Sequence, residues 1–233
     1  MSFVDSAHRD SGRDEALRIE TRTIGEAWLA IGSQILECGA ISSYDGLAIR
    51  ELLLTTISVQ QPSPDDVLIA RYADPERLRW MHNNFSDTRL VQELGNAESY
   101  ATRLRDYANS GLDQIKWVVE KLRSDPSSRS ATITTLQPLS DTSYVPCVSL
   151  LDFYIVHDLL VLVVYAHSID FGTKGYANLV ELAHLQKEVA DQLEIEMGSL
   201  TMIVKSAHVY ESNIDRLSEL IRTHQNQDSP TNH

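Results

Sequence analysis

The chain has 233 residues and a formal net charge of −13, which suits one α/β domain with a full-sized core. The acidic balance argues against a nucleic-acid groove, which needs clustered lysine and arginine, but leaves room for a small anionic ligand that answers to local charge. Two cysteines, Cys38 and Cys147, make no disulfide framework and favour a reduced, cytoplasmic compartment, and no apolar run reaches membrane-spanning length.

The opening MSFVDSAHRDSGRDEALR lacks the apolar middle of a signal peptide, so residues 1–20 read as a disordered polar tail. From Thr23 to Gly39 the apolar positions Ile24, Trp28, Leu29, Ile31, Ile35 and Leu36 recur at helical spacing, with Cys38 a structural residue in the last turn. SSYDG makes a turn before the strand-like ELLLTTISVQ. A helix is predicted from Pro75 to Asn84, with Asp74 as its cap. Another is predicted from Asp113 to Arg123, its core stripe formed by Ile115, Val118, Val119 and Leu122. The polar loop SDPSSRS leads to the strand ATITTLQP.

The most informative stretch runs from Asp141 to Asp170. LLDFYIV and LLVLVVYAHS are rich in β-branched and aromatic residues and read as two strands joined at His157-Asp158. Pro146 cannot donate to a ladder, so it belongs at a strand start and leaves Cys147 at the mouth of the sheet. A helix from Asn178 to Leu193, a strand SLTMIVKSAHVY introduced by Gly198, and a helix from Asn213 to Thr223 follow. Residues 21–224 form a single domain on this reading, and 225–233 a second polar tail. There is no internal repeat, and no zinc or phosphate-loop spacing.

Several segments recur in a fixed order: YATRLRDY from Tyr100, LDQIKWVVEKLRSDPSSR ending at Arg129, Pro146-Cys147, His167-Ser168-Ile169-Asp170, Asn178 eight residues after Asp170, and His208-Val209-Tyr210. Together these resemble the thymidylate synthase family from about Tyr100 to Leu217. The likeness is greatest to its short branch of archaeal-type synthases and pyrimidine-nucleotide (dCMP, dUMP or CMP) hydroxymethylases.

The resemblance implies an α/β (α+β) fold, with a large mixed sheet backed by helices on one side and paired sheet-to-sheet in a homodimer. It implies a one-carbon transferase that uses 5,10-methylenetetrahydrofolate at carbon 5 of a pyrimidine nucleotide or nucleoside. Cys147 would be the nucleophile, since a thiolate adding to carbon 6 makes carbon 5 enolate-like. Asn178 would hold the pyrimidine edge through paired donor and acceptor groups, and His208 and Tyr210 the sugar hydroxyl. Ser168 and Asp170 would line the same site. Glu76 is the candidate for the family's proton-managing glutamate, although an acid in a first helical turn also serves as a solvated dipole partner. Arg129 would reach a phosphate across the dimer.

Departures from the pattern fall at the phosphate end. His167 stands where the family has arginine, Ser130 replaces the second arginine of a pair, and Tyr44 occupies the turn that carries another. Arg50, Lys174 and Lys205 are the nearby cations that would compensate. Leu104 takes the place of a tryptophan, as in the short branch. The contrasting reading is a degenerate relative that keeps the fold as a ligand-binding or partner subunit.

Overall fold

A computed structural model describes residues 16–142 and 144–228. In chain order the elements are β1 (Arg18–Thr21), α1 (Ile24–Cys38), β2 (Ala40–Tyr44), β3 (Leu47–Val59), α2 (Val67–Tyr72), α3 (Pro75–Ser86), β4 (Leu90–Val91), β5 (Ala97–Glu98), α4 (Tyr100–Arg105), α5 (Gln114–Ser124), β6 (Ala131–Thr134), β7 (Val148–Val156), β8 (Leu159–Asp170), α6 (Gly175–Leu193), β9 (Glu196–Tyr210) and α7 (Ile214–Asp228). Seven strands form one mixed sheet in the order β1-β3-β9-β8-β7-β6, with β2 also on β3. β4 and β5 pair separately. This is the expected large mixed sheet backed by helices, and no helix among the described residues is long and apolar enough to cross a membrane.

Local chemistry explains most boundaries. His157 and Asp158 both have positive φ, 50° and 61°, as a two-residue turn of the primed type requires. Asp45 and Gly46 repeat the device between β2 and β3. The Asp113 side chain accepts from the amides of Ile115 and Lys116 and so starts α5. Helix α6 begins at Gly175, three residues before the expected Asn178, because a side chain at Gly175 would strike the Phe171 ring.

Three expectations need correction. Arg18–Thr21 is not tail but an edge strand, parallel to Thr56–Val59. Helix α7 continues to Asp228, so its polar sequence past 224 is helical. Cys38 is exposed at the end of α1, with no place in the core. The remainder of both terminal tails lies outside the described residues.

One face of the sheet packs against α1, α5 and α6. On β8 the residues fully buried there are Leu160, Leu162, Val164 and Ala166, then Ile169; on β9 they are Leu200, Met202 and Val204, then Ala207 and Val209. Both strands therefore shift their alternation by one residue. Strand β7 does the same, burying Phe153 and Leu151 and then Val148, with a bulge between Val148 and Leu150. The β3–β9 and β8–β9 ladders skip Leu54, Lys205 and His167, and Leu54 has φ 54°. A strand has period two, so a slip of one residue sends every later side chain to the opposite face. Beyond the slip, Ser168 and His208 fall on the row that alternates with the buried Ile169, Ala207 and Val209.

A buried ion pair fixes the segment that leads into Cys147. Arg103 donates to both Asp141 carboxylate oxygens, at 2.6 and 3.0 Å, and to the carbonyls of Glu98 and Thr135. The two side chains are only 4% and 3% exposed. Removing one partner strands a buried charge, so Arg103→Ala is expected to lower unfolding free energy by about 3–5 kcal/mol in chemical denaturation. A loss below about 1 kcal/mol would mean that water relieves Asp141 and that the pair does not hold this segment.

Candidate active site

Where the sheet slips, a cavity of about 510 Å³ opens between the strand ends and helices α3, α4 and α6. That volume suits a small-molecule ligand. Cys147, His167, Ser168, Asp170, Asn178, His208 and Tyr210 all line it. The sequence reading thus brings seven of its nine candidates to one place.

The nucleophile candidate is held by backbone. The Cys147 carbonyl accepts from the His167 amide at 3.0 Å, and the next amide, of Val148, donates to the Tyr100 hydroxyl at 3.0 Å. Tyr100 is buried against Phe85, with ring centroids 4.3 Å apart, which gives the first tyrosine of YATRLRDY a scaffolding role. Burial raises the Cys147 thiol above its ordinary range. The Lys174 ammonium, the local backbone and the Tyr144 hydroxyl pull it down, and Asp170 pushes it up again. Lys174 also sits over the Trp80 ring, 4.8 Å from its centroid, at the mouth of α6.

Facing the thiol are polar atoms without protein partners. Asn178 donates through Nδ2 to the Lys174 carbonyl at 3.1 Å, which leaves its buried Oδ1 unpaired. His208 has Nδ1 3.4 Å from the Ser168 hydroxyl and its Nε2 buried and unpaired. Desolvation lowers its pKa, against the opposing pull of Asp170, so the ring is neutral near neutral pH. Tyr210 packs edge-on to the His208 ring at 5.3 Å. His167 leaves Nδ1 unpaired, and burial together with Lys205 lowers its pKa also. Asp170 is committed to the turn before α6, accepting from the Gly172 amide at 2.9 Å and from the Thr173 hydroxyl.

The two remaining candidates lie elsewhere. Glu76 is exposed in the first turn of α3, outside the cavity, and does not fit the catalytic carboxylate position expected of it. On α3 the cavity wall is built a turn or more later, by Trp80, Met81 and Asn84. Arg129 is exposed beside Asp152, Tyr154 and Val156 and bonds the Ser127 and Ser128 carbonyls. Leu104 is buried in the core and does not line the cavity. Sequence reasoning missed Tyr100, Tyr144, Trp80 and Asn84, which carry no motif signal beyond the leading tyrosine.

A family model described as thymidylate synthase matches residues 67–232. A protein named "Putative thymidylate synthase" from Methanococcoides burtonii is 31% identical over 212 residues, covering 88% of this chain and 94% of that one. This chain belongs to the thymidylate synthase family. A protein of the same name from Methanothermobacter marburgensis is 30% identical over 223 residues, covering 89% and 99% of the two chains. The bifunctional dihydrofolate reductase-thymidylate synthase of Paramecium tetraurelia is 26% identical over 118 residues, half of this chain. Members of the thymidylate synthase family transfer a one-carbon unit from 5,10-methylenetetrahydrofolate to carbon 5 of a pyrimidine nucleotide. The cavity fits that pair of ligands in kind. Unpaired Asn178 Oδ1 and His208 Nε2 ask for polar partners, and Trp80, Leu94, Tyr144 and Val145 offer faces for a flat heterocycle.

The thiol's environment makes a direct prediction. Alkylation of Cys147 by iodoacetamide is expected to keep accelerating as pH rises past the ordinary thiol value of about 8.5. Lys174→Met should slow it severalfold at neutral pH, whereas Lys174→Arg should not. Exposed Cys38 serves as an internal reference by peptide mass mapping. An unchanged Cys147 profile in Lys174→Met would remove Lys174 from thiolate activation.

Proposed function

We propose that this chain is a one-carbon transferase, a methylase or hydroxymethylase, that acts through a covalent Cys147 adduct at carbon 6 of a pyrimidine nucleoside or nucleotide. Its phosphate site differs from the arginine-built one of the family. The observation that carries this is the cavity's inventory: the thiol shares it with unpaired polar atoms of Asn178, His167 and His208, and Lys174 is the only lysine or arginine among the described lining residues, set against the carboxylates of Asp45 and Asp170. Arg50 does not compensate, since it bonds Glu211 and the Leu36 carbonyl away from the cavity.

In this reading Cys147 loses its proton, aided by the Lys174 ammonium, and its sulfur bonds to carbon 6 while the ring electrons move toward the carbon 4 oxygen. Asn178 orients the pyrimidine edge, and neutral His208 and Tyr210 meet the sugar hydroxyls. Bound 5,10-methylenetetrahydrofolate supplies the electrophilic one-carbon unit. Once carbon 5 has bonded to that unit, loss of the carbon 5 proton releases the unit from the folate nitrogen. Addition of water (hydroxymethylase) or of hydride from the tetrahydrofolate (methylase) at the exocyclic methylene then lets the sulfur–carbon 6 bond break and returns the Cys147 thiolate. With no glutamate among the described lining residues, the proton passes to water ordered in the cavity or to His208.

That missing glutamate also favours the second reading, a degenerate relative that binds a pyrimidine without turning it over. Mass spectrometry after incubation with 5-fluoropyrimidine nucleosides and their monophosphates, with the folate present, separates the two. An adduct on Cys147 is expected. Its absence with every sugar form would leave binding alone. The companion measurement compares the affinity of a nucleoside and its monophosphate in mild acid and mild base. The lowered pKa of His167 means that it charges only below its ordinary value of about 6.5, so any grip it adds on phosphate strengthens as pH falls. A monophosphate bound hundreds of times more tightly at all these pH values would mean that other cations rebuild the site.

We infer also that two copies pair through the face of the sheet opposite the helices. Leu53, Leu54, Leu150, Tyr165 and Ile203 are exposed there, and Arg129 lies at that side, outside the Cys147 cavity of its own chain. Light scattering is expected to give the mass of a dimer at micromolar concentration, and Ile203→Asp to shift it toward monomer. A monomeric wild-type protein would also withdraw Arg129 from the phosphate site.

A further inference from the structure

Behind the cavity, on the solvent side of the α3–α6 contact, His82 meets Glu181 and His184. Glu181 and His184 are three residues apart on α6 and so share a face, and His82 reaches them from α3. One ligand atom from each, imidazole nitrogen or carboxylate oxygen, lies within 4.8 Å of the others. His82 Nδ1 is 3.3 and 3.2 Å from the two Glu181 oxygens, and the two imidazole centroids are 5.9 Å apart. The Glu181 side chain is 5% exposed, whereas that of His82 is 55% exposed.

We propose that His82, Glu181 and His184 form a binding site for a borderline divalent transition metal such as zinc, which ties α3 to α6. Two imidazoles and one carboxylate are a zinc donor set, with a fourth position left for water. Donors on one zinc ion stand roughly 3.3 Å apart in a tetrahedron, which the His82–Glu181 pair already matches. Exposed His184 closes the remaining distance by side-chain rotation. The buried carboxylate supplies the motive: its surroundings offer two imidazoles rather than a lysine or arginine ion pair, and burial raises its pKa while both rings lower it. An adjoining groove, lined also by Asp65, Asp66 and Arg79, gives entry from solvent, with two carboxylates against the one guanidinium.

The position has a consequence for the cavity. Met81 adjoins His82 on α3, and Asn178 is one turn before Glu181 on α6; both line the cavity. A metal across the helices would fix the separation of these two walls.

The test uses the full chain, free of any histidine tag and stripped with chelator, titrated with Zn²⁺ by calorimetry and with Co²⁺ by visible absorption. Expected are one ion per chain, the intense visible bands of low-coordinate Co²⁺, and a higher thermal midpoint with metal. Glu181→Gln keeps the shape and His184→Ala alters an exposed ring, so both should fold, as circular dichroism would verify. Each should weaken binding by about 100-fold, since losing an outer-shell partner alone costs roughly 10–100-fold. Failure of the wild-type chain to bind either ion, or unchanged affinity in either variant, overturns the site.

Discussion

The one-residue slip across β7, β8, β9 and β3 is the constraint on which the site depends. Before it, the sheet is a conventional wall whose alternate residues pack against helices; after it, the same strands turn their other row inward. Val148, Ile169, Ala207 and Val209 complete the core, and the alternate positions Cys147, Ser168 and His208 are released toward the cavity. Here an extra residue on β7 is accompanied by skipped residues on β8, β9 and β3. The irregularities therefore fall together, at Ser149, His167, Lys205 and Leu54.

This arrangement stores unfavourable terms where the ligand binds. Leu54 adopts a left-handed backbone that a branched side chain resists. Asn178, His167 and His208 keep buried polar atoms unpaired, each costing about 1–3 kcal/mol, a cost that a ligand would relieve on the proposed reading. Cys147 is buried as a thiol and offset chiefly by Lys174. The rigid frame is what sustains these costs: the Arg103–Asp141 pair, Tyr100 on the Val148 amide, and Trp28 donating to the Phe171 carbonyl at 3.0 Å below the start of α6.

Much of this was legible in the chain. Alternating and branched residues gave β7 and β8, and Asp113, Asp74 and Pro75 marked helix starts by chemistry that operates locally. Motif order brought Cys147, Asn178, His208 and Tyr210 together without any distance information. The slip itself was not legible, because LLVLVVYAHS is apolar on both rows and Leu54 has no glycine to betray its backbone. Glu76 failed for a related reason. The helix was placed correctly, but which turn reaches the cavity depends on how α3 lies against α6, and no local pattern encodes that. The α3–α6 histidines likewise become a group only when the two helices are packed.

On the proposed reading, the phosphate end changes while the chemistry stays, and the division between frame and variable positions is consistent with that. Cys147 and His208 are fixed by slipped strands and Asn178 by a helix seated on Phe171, so altering any of them disturbs packed structure. Tyr44 ends β2 beside the Asp45-Gly46 turn, Ser130 lies in an exposed loop and His167 on the skipped line of the sheet. None of these three has neighbours that require an arginine. On the proposed reading, a guanidinium there would serve a ligand's charge, and a phenol, a hydroxyl or an imidazole would not replace its fixed fork of donors. What such exchanges alter is the charge the cavity tolerates. Among the described lining residues that charge is carried by one lysine and two carboxylates, which is the basis for proposing a substrate held through sugar hydroxyls rather than through a dianion.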